Sequence, residues 1–148
     1  MRVLRPGSAR GTMYGGCLTI LAASLGTRFA PQTEGKLLFL EDVGVKPYQM
    51  DRMLMHLRLA GKFDRVRGIV LGPMKDCVQP GAPQDLLDAV LMRALEDLDV
   101  PIAIGMRSGH VVERNITLPI GVQAELDLSG TPCLRFLEAA VTLDERSA

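Results

Sequence analysis

The sequence predicts an α/β fold in which a small parallel sheet is flanked by helices and extended by antiparallel strands near the C-terminal end. Three short, uninterrupted apolar runs support this prediction, at residues 36–40, 68–71 and 101–104. Such runs are typical of strands that are buried on both faces. Because helical patterns separate them, we expect right-handed βαβ crossovers and parallel strands.

The composition is that of an ordinary globular domain of 148 residues, enough for one core. Its 17 basic and 17 acidic residues cancel, so nothing suggests a nucleic acid or an anionic membrane surface as a partner. The apolar run 17–25 is too short to span a bilayer, and no signal peptide is visible. Cys17, Cys77 and Cys133 lack histidines at metal-ligand spacing, so we expect buried free thiols, no metal or cofactor, and a cytoplasmic location.

Three segments have helical patterns. Residues 47–59 begin with a proline and carry apolar side chains at spacings of three and four, and residues 84–95 form an amphipathic stripe. His56 in the first of these is expected on the surface. Residues 17–25 follow Gly15 and Gly16, so the backbone N–H groups at the start of this helix can hold an anion or a carboxylate. The alternative is that the two glycines only allow tight packing.

The two ends of the chain predict antiparallel strands. Residues 1–7 and 10–16 each read as a short strand, and together they could form a hairpin. Residues 116–137 alternate apolar and polar residues in three bursts, ITLPI, VQAELDL and CLRFL, which predicts a meander of three strands. The polar tail, residues 144–148, is expected to fray.

Two adjacent carboxylates, Glu41 and Asp42, end the apolar run 36–40. The carboxyl ends of strands in open α/β sheets are where ligands bind. If the strand continues through both residues, their side chains point to opposite faces and only one can enter a given cleft. The alternative is that both cap the helix that starts near Pro47.

His110 lies in a long loop, residues 105–115, which follows the third apolar strand at the same sheet edge as Glu41. If the two strands are near neighbours, the imidazole and the carboxylate meet. A carboxylate fixes the tautomer of a histidine, which can then take a proton from a serine. The competing interpretation is a loop histidine bonded to backbone.

No convincing nucleophile accompanies this pair. There is no G-x-S-x-G motif. Ser108 is only two residues from His110, a spacing that rarely gives attack geometry. The serines of the chain are Ser8, Ser24, Ser108, Ser129 and Ser147.

Three stretches resemble a known family in order and spacing: GTMYGGCLTILAASLGT, EGKLLFLEDVGVKPYQMDRMLMHLRLAGKFDRVRGIVLG, and PIAIGMRSGH with NITLPIGVQAELD. They are similar to the C-terminal domain of the L,D-carboxypeptidases, serine peptidases of muropeptide recycling that share their family with microcin-immunity peptidases. The resemblance covers residues 3–141. It implies that residues 1–148 form a single swivelling β/β/α domain and that an N-terminal domain, absent here, carries the serine.

The resemblance implies a Ser–Glu–His triad split between two domains, with Glu41 as the orienting acid and His110 as the base. It also implies that Asn115 pins the His110 loop. Cys17 stands where the family usually has asparagine, so an amide contact there is in doubt. The implied reaction is hydrolysis of the amide between an L-centre diamino acid and the terminal D-alanine of a murein tetrapeptide.

Two classes of function therefore compete. In the first, the chain is the C-terminal half of such a peptidase, inactive without its nucleophile domain. In the second, it is a catalytically inactive module that binds peptide or serves in assembly. A third possibility is that the face left by the absent domain drives homodimerisation.

Overall fold

The computed structural model describes residues 1–83, 85–111 and 114–141, and in these residues one seven-stranded mixed sheet carries three helices. The strand order is β1-β5-β4-β3-β2-β6-β7. In chain order the elements are β1 Arg2–Arg5, β2 Ser8–Cys17, α1 Leu18–Ala23, β3 Lys36–Val43, α2 Pro47–Leu59, β4 Gly68–Lys75, α3 Leu86–Leu95, β5 Ile102–Ile104, β6 Gln123–Asp127 and β7 Cys133–Phe136.

The predicted parallel sheet is confirmed. The strands β2, β3, β4 and β5 are parallel neighbours, with β3 flanked by β2 and β4. The apolar run in β3 is uninterrupted because apolar residues cover both faces of the sheet. Leu37, Leu38 and Leu40 are at most 1% exposed. Burying a side chain of this size contributes about 1.5–3 kcal/mol, which explains why this strand anchors the core.

The two faces of the sheet are covered differently. Leu38 and Leu40 pack on the core formed with α2 and α3, which we call the helix face. Leu37 and Phe39 belong to a separate core on the other face, which we call the second face. That core packs against Leu118 and against β6 and β7 instead of helices. The alternation along β3 therefore sends Glu41 to the second face and Asp42 to the helix face.

The predicted N-terminal hairpin is wrong. Strand β1 pairs antiparallel with β5, with Val3 opposite Ala103. Strand β2 is ten residues long and pairs parallel with β3 and antiparallel with β6. Because both edges of β2 are occupied, β1 pairs with the free edge of β5.

The predicted C-terminal meander is confirmed in two of its three strands, β6 and β7, which pair antiparallel. The ITLPI burst, residues 116–120, does not form a strand. Pro119 has no N–H group to donate to a ladder, and Leu118 packs into the second-face core. The predicted frayed tail, residues 144–148, lies outside the described residues.

The helices match their predictions closely. Helix α2 has the predicted bounds, α1 lies within the predicted range, and α3 begins at Leu86. The predicted start of α3, Gln84, lies outside the described residues. His56 is exposed as predicted. No helix in the described parts of the chain is both long and apolar enough to cross a membrane.

Two further expectations need correction. Strand β4 continues to Lys75, whereas a loop was predicted from Pro73 onward. A shift of register between Leu40 and Asp42 marks a bulge, and a bulge accommodates a proline in a strand. The three cysteines are not all buried: Cys77 is, whereas Cys17 and Cys133 are half-buried.

Candidate active site

Glu41 and Asp42 are held by β3, which continues through both residues to Val43. Their side chains point to opposite faces, as the period of a strand requires. Both are almost fully buried, with 4% of Glu41 and 2% of Asp42 exposed. The alternative in which both cap α2 is wrong, because the residue that precedes α2 is Lys46 and its backbone N–H donates to Gln49.

Glu41 contacts His110 through two hydrogen bonds. The Nδ1 atom of His110 lies 2.7 Å from Oε2 of Glu41, and the backbone N–H of His110 donates to the same oxygen at 3.0 Å. The two side chains therefore meet, as the sequence predicted. Their strands are not direct neighbours, since β4 lies between β3 and β5. The loop that follows β5 reaches across the end of β4 to deliver the histidine.

Two glycines make this crossing possible. A Cβ atom on Gly72 of β4 would lie 2.8 Å from Cβ of Glu41, and one on Gly109 would lie 2.5 Å from Cδ of Glu41. Gly109 also has a φ of +97°, which side chains rarely tolerate. Neither glycine was predicted to make room for Glu41. The sequence signal that could have identified Gly109 is that it directly precedes His110.

The side chain of Asn115 holds the His110 loop in place by hydrogen bonds to its backbone, as the resemblance implied. The backbone N–H of Gly109 donates to Oδ1 of Asn115 at 3.2 Å, and Nδ2 of Asn115 donates to the carbonyl of Gly109 at 3.1 Å. The N–H of Ile116 donates to the carbonyl of Arg107 at 2.7 Å. These bonds tie together the two limbs of the loop on either side of His110.

The environments of the two partners differ in a way that suits acid–base chemistry. The Glu41 side chain is 6% exposed, whereas that of His110 is 49% exposed. An ionised carboxylate only accepts hydrogen bonds, so the proton shared with it belongs to Nδ1 of His110. The Nε2 atom is then left with a lone pair. The arrangement can take a proton from a hydroxyl that approaches the exposed side of the ring.

Asp42 faces the other side of the sheet and caps α1. Its Oδ2 accepts from the backbone N–H and the hydroxyl of Thr19, each at 2.8 Å, and its Oδ1 accepts from the N–H of Val43 at 2.8 Å. The start of α1 therefore holds a carboxylate, one of the two alternatives left open by the Gly-Gly sequence. Cys17, the last residue of β2, pairs in register with Glu41.

The other polar residues near the loop offer little for catalysis. Ser108 is buried, with 8% of its surface exposed, and its N–H donates to the carbonyl of Met106. Within residues 1–83, 85–111 and 114–141, no group of three or more histidine, cysteine, aspartate or glutamate side chains could hold a metal ion.

Comparison with known proteins relates this chain to a family. The model described as the LD-carboxypeptidase C-terminal domain matches residues 10–126. A putative carboxypeptidase of Streptomyces coelicolor is 45% identical over 125 residues, and a probable murein peptide carboxypeptidase of Bacillus subtilis is 38% identical over 125 residues. Each alignment covers 84% of this chain and 39% of the relative.

Solved structures show the same fold. The structure of MccF in complex with glutamyl sulfamoyl guanosine superposes with a TM-score of 0.80 and 26% identity, over 95% of this chain and 42% of that one. The chain thus spans about two fifths of the length of the proteins that it matches. On these grounds the chain belongs to the LD-carboxypeptidase family and corresponds to its C-terminal part.

Proposed function

We propose that this chain supplies the orienting acid, Glu41, and the general base, His110, of a Ser–Glu–His triad. The observation that carries the proposal is the 2.7 Å contact between Nδ1 of His110 and Oε2 of Glu41, with the carboxylate buried and the ring half-exposed. The serine is assigned to the N-terminal part of the longer protein, because relatives extend well beyond the aligned region. Residues 1–148 act in this proposal as one swivelling domain of a cytoplasmic enzyme.

The proposed substrate is a murein tetrapeptide, cleaved at the amide before its terminal D-alanine. The B. subtilis relative, named as a probable murein peptide carboxypeptidase, supports this choice. The serine hydroxyl attacks the carbonyl carbon and gives its proton to Nε2 of His110. The imidazolium then donates that proton to the departing amine of D-alanine. Water, deprotonated by His110, finally hydrolyses the acyl-enzyme and regenerates the serine.

Glu41 acts in this mechanism by its charge and its geometry. It remains ionised, holds the ring in the Nδ1–H tautomer and stabilises the imidazolium that forms after proton transfer. Two hydrogen bonds to one carboxylate oxygen fix both the ring and the backbone of His110. Such preorganisation avoids a reorganisation of the site during the reaction.

The test is reconstitution. This chain is joined to the serine-bearing N-terminal region, and release of D-alanine from a murein tetrapeptide is measured. We expect activity that falls about 10⁴-fold in Glu41→Gln and His110→Ala, as in other triads. His56→Ala replaces the other histidine, which is exposed on α2, and is the matched control. Unchanged turnover in His110→Ala would refute the proposal.

The second candidate is a catalytically inactive module that binds peptide or assembles with a partner. Large apolar side chains at the surface favour it, since Ile20 is 66% exposed, Phe29 is 70% exposed and Leu59 is 81% exposed. A formed complex that binds the tetrapeptide without releasing D-alanine would support this candidate. Gel filtration of the isolated chain reports whether these side chains instead drive homodimerisation.

A further inference from the structure

A groove between α2 and α3 contains a carboxylate whose hydrogen-bonding capacity is not filled. The groove holds a cavity of about 330 Å³, a size that falls within the range of small-molecule sites. Tyr48 and Asp51 of α2 line it together with Arg93 of α3. Neither Glu41 nor His110 lines it, so the groove is separate from the candidate catalytic pair.

Asp51 is the unusual residue of this groove. Only 25% of its side chain is exposed, and its Oδ1 atom is enclosed and has no hydrogen-bond partner among the residues that the structure describes. A carboxylate that is taken out of water usually accepts several hydrogen bonds, as Asp42 does from Thr19 and Val43. Asp51 therefore needs a donor that the described residues do not supply.

Arg93 forms an ion pair with Asp51, but the pair is loose. Nη1 of Arg93 lies 3.5 Å from Oδ2 of Asp51, whereas roughly 2.7–2.9 Å is normal for a hydrogen bond between two charged groups. The side chain of Arg93 is 71% exposed, and an ion pair that is open to solvent contributes little to stability. A better donor can therefore displace Arg93 from Asp51.

The surfaces beside Asp51 favour a flat organic cation. Tyr48 precedes Asp51 by three residues, so both side chains lie on one face of α2, and Tyr48 is 62% exposed. A guanidinium group stacks on an aromatic ring and donates two parallel hydrogen bonds to a carboxylate. Pro47, Ala89 and Val90 add apolar surface that suits an alkyl chain.

We propose that this groove binds a guanidinium group carried on a short alkyl chain. Two of its N–H groups donate to the two oxygens of Asp51, its plane stacks on the ring of Tyr48, and Arg93 moves into solvent. The terminal torsion of an aspartate is soft, so the carboxylate rotates to bring Oδ1 to the ligand. The same group occurs in a free alkylguanidine and in the arginine side chain of a peptide.

The test is a titration of the ¹⁵N-labelled chain with propylguanidinium chloride, followed by amide chemical shifts. We expect saturable shifts around Tyr48, Asp51 and Arg93, with a dissociation constant in the millimolar range. Propylurea has the same shape without the charge and should bind about tenfold more weakly. Butylammonium keeps the charge without the flat fork of donors and should bind about threefold more weakly. These comparisons use the unmodified chain and do not depend on the folding of any variant.

Nα-acetyl-arginine methylamide distinguishes the two sources of the group. Tighter binding of this compound than of propylguanidinium would show that a peptide backbone also contacts the groove, and would identify an arginine side chain as the ligand. Equal or weaker binding would identify a free alkylguanidine. Either result supports a guanidinium site.

Variants assign the contacts. Asp51→Asn should weaken the binding of propylguanidinium about tenfold, and Tyr48→Leu about threefold. Arg93→Met should instead strengthen it about threefold, because this change removes the cation that competes for Asp51. Arg52→Met and Asp64→Asn make the same charge changes at exposed positions outside the groove and should leave binding unchanged.

Four results would overturn the inference. These are no saturable shift with propylguanidinium, equal binding of propylurea, equal losses in Asp51→Asn and Asp64→Asn, or binding that Arg93→Met does not strengthen. Shifts that centre on His110 would place the cation beside Glu41 and would also refute the inference.

Discussion

Two missing side chains determine whether Glu41 and His110 can meet. Gly72 leaves space beside Cβ of Glu41 on β4, and Gly109 lets the loop backbone approach the carboxylate. Without this space, the carboxylate would be displaced from the ring by a methyl group. The geometry of the candidate pair therefore depends on glycines as much as on its two ionisable groups.

Replacing Gly109 by alanine tests this dependence. The new Cβ would lie 2.5 Å from Cδ of Glu41 at a φ of +97°, so we expect a loss of about 2–4 kcal/mol in the free energy of unfolding and loss of the Glu41–His110 contact. Urea denaturation and the His110 amide shift measure the two effects.

Gly121→Ala is the matched control for that substitution. Its φ is +92°, but no atom lies within 4 Å of the added Cβ, so it isolates the backbone strain, about 1 kcal/mol. Equal losses in the free energy of unfolding of the two variants would show that the contact with Glu41 does not contribute to the destabilisation by Gly109→Ala.

The contact between Glu41 and His110 was predictable from the sequence only on the condition that their two strands lie near each other in the sheet. Both residues follow apolar strands, which places them at one sheet edge, but the distance between the strands depends on pairings that no local pattern specifies. The passage across β4 was not predicted, because a glycine that provides space for a neighbour gives no periodic signal.

At the scale of elements, Asp42 joins α1 to β3. It is 2% exposed and accepts hydrogen bonds from Thr19 and Val43, so its carboxylate is the link between the start of the helix and the end of the strand. Cys17 precedes α1 and pairs in register with Glu41.

Asp42→Ala should destabilise the protein by about 2–4 kcal/mol, because it leaves the N–H of Thr19 without its acceptor in a partly buried site. Thr19→Val removes the hydroxyl, which lies 2.8 Å from Oδ2 of Asp42 and 3.6 Å from Sδ of Met53, but keeps the backbone bond, and should cost about 1 kcal/mol. Chemical denaturation and amide exchange at residue 19 measure the loss of stability in each of the two variants. A larger loss in Thr19→Val than in Asp42→Ala would contradict this assignment.

Glu125 of β6 connects three strands through charge. Arg10 of β2 and Arg135 of β7 both form ion pairs with it, at 2.8 Å and 2.6 Å. The hydrogen bond from Arg10 is the main cause that lowers the pKa of Glu125 below its usual value. Since the pKa is lower in the folded chain than in the unfolded one, the stabilisation is present above the unfolded pKa and is lost as pH falls through the folded value.

Arg10→Met should therefore make the thermal stability of the protein depend less on pH in the acid range. We expect the difference in Tm between variant and parent to be largest near neutral pH and to shrink in acid, as Glu125 becomes protonated at a pH below the usual pKa of a glutamate. Thermal unfolding across pH measures it. Arg28→Met, a change at an arginine outside this cluster, is the control, and the same pH dependence in both variants would argue against the role of Glu125.

The elements themselves were predictable where one pattern decided them. The apolar runs of β3, β4 and β5 predicted parallel strands because burial on both faces leaves no room for polar residues. The pairing of β1 with β5 was not predictable, since a neighbouring strand in sequence was available and only the occupied edges of β2 exclude it. ITLPI resembles a strand by its composition, but its proline removes a donor and its leucine enters the core.

At the scale of the whole molecule, the candidate catalytic pair lies at the carboxyl edge of the parallel strands. The chain spans about two fifths of its relatives, and its net charge is zero. In the proposed function, long-range attraction by net charge would therefore contribute little to docking with the serine-bearing part, and the fit of surfaces would position the serine. We accordingly expect the rate of reconstitution to change little between low and moderate salt, as stopped-flow mixing would measure; a steep fall with salt would contradict this.

The position of the proton on the neutral His110 ring shows whether Glu41 orients this histidine. The chain has two histidines, so ¹⁵N spectra at alkaline pH, where imidazole is neutral, resolve His110 from the exposed His56. We expect that Nδ1 of His110 carries the proton and Nε2 is bare, and that Glu41→Ala removes this preference. A proton on Nε2 of His110, or a tautomer that is unaffected by Glu41→Ala, would contradict the claim that Glu41 prepares His110 as a base.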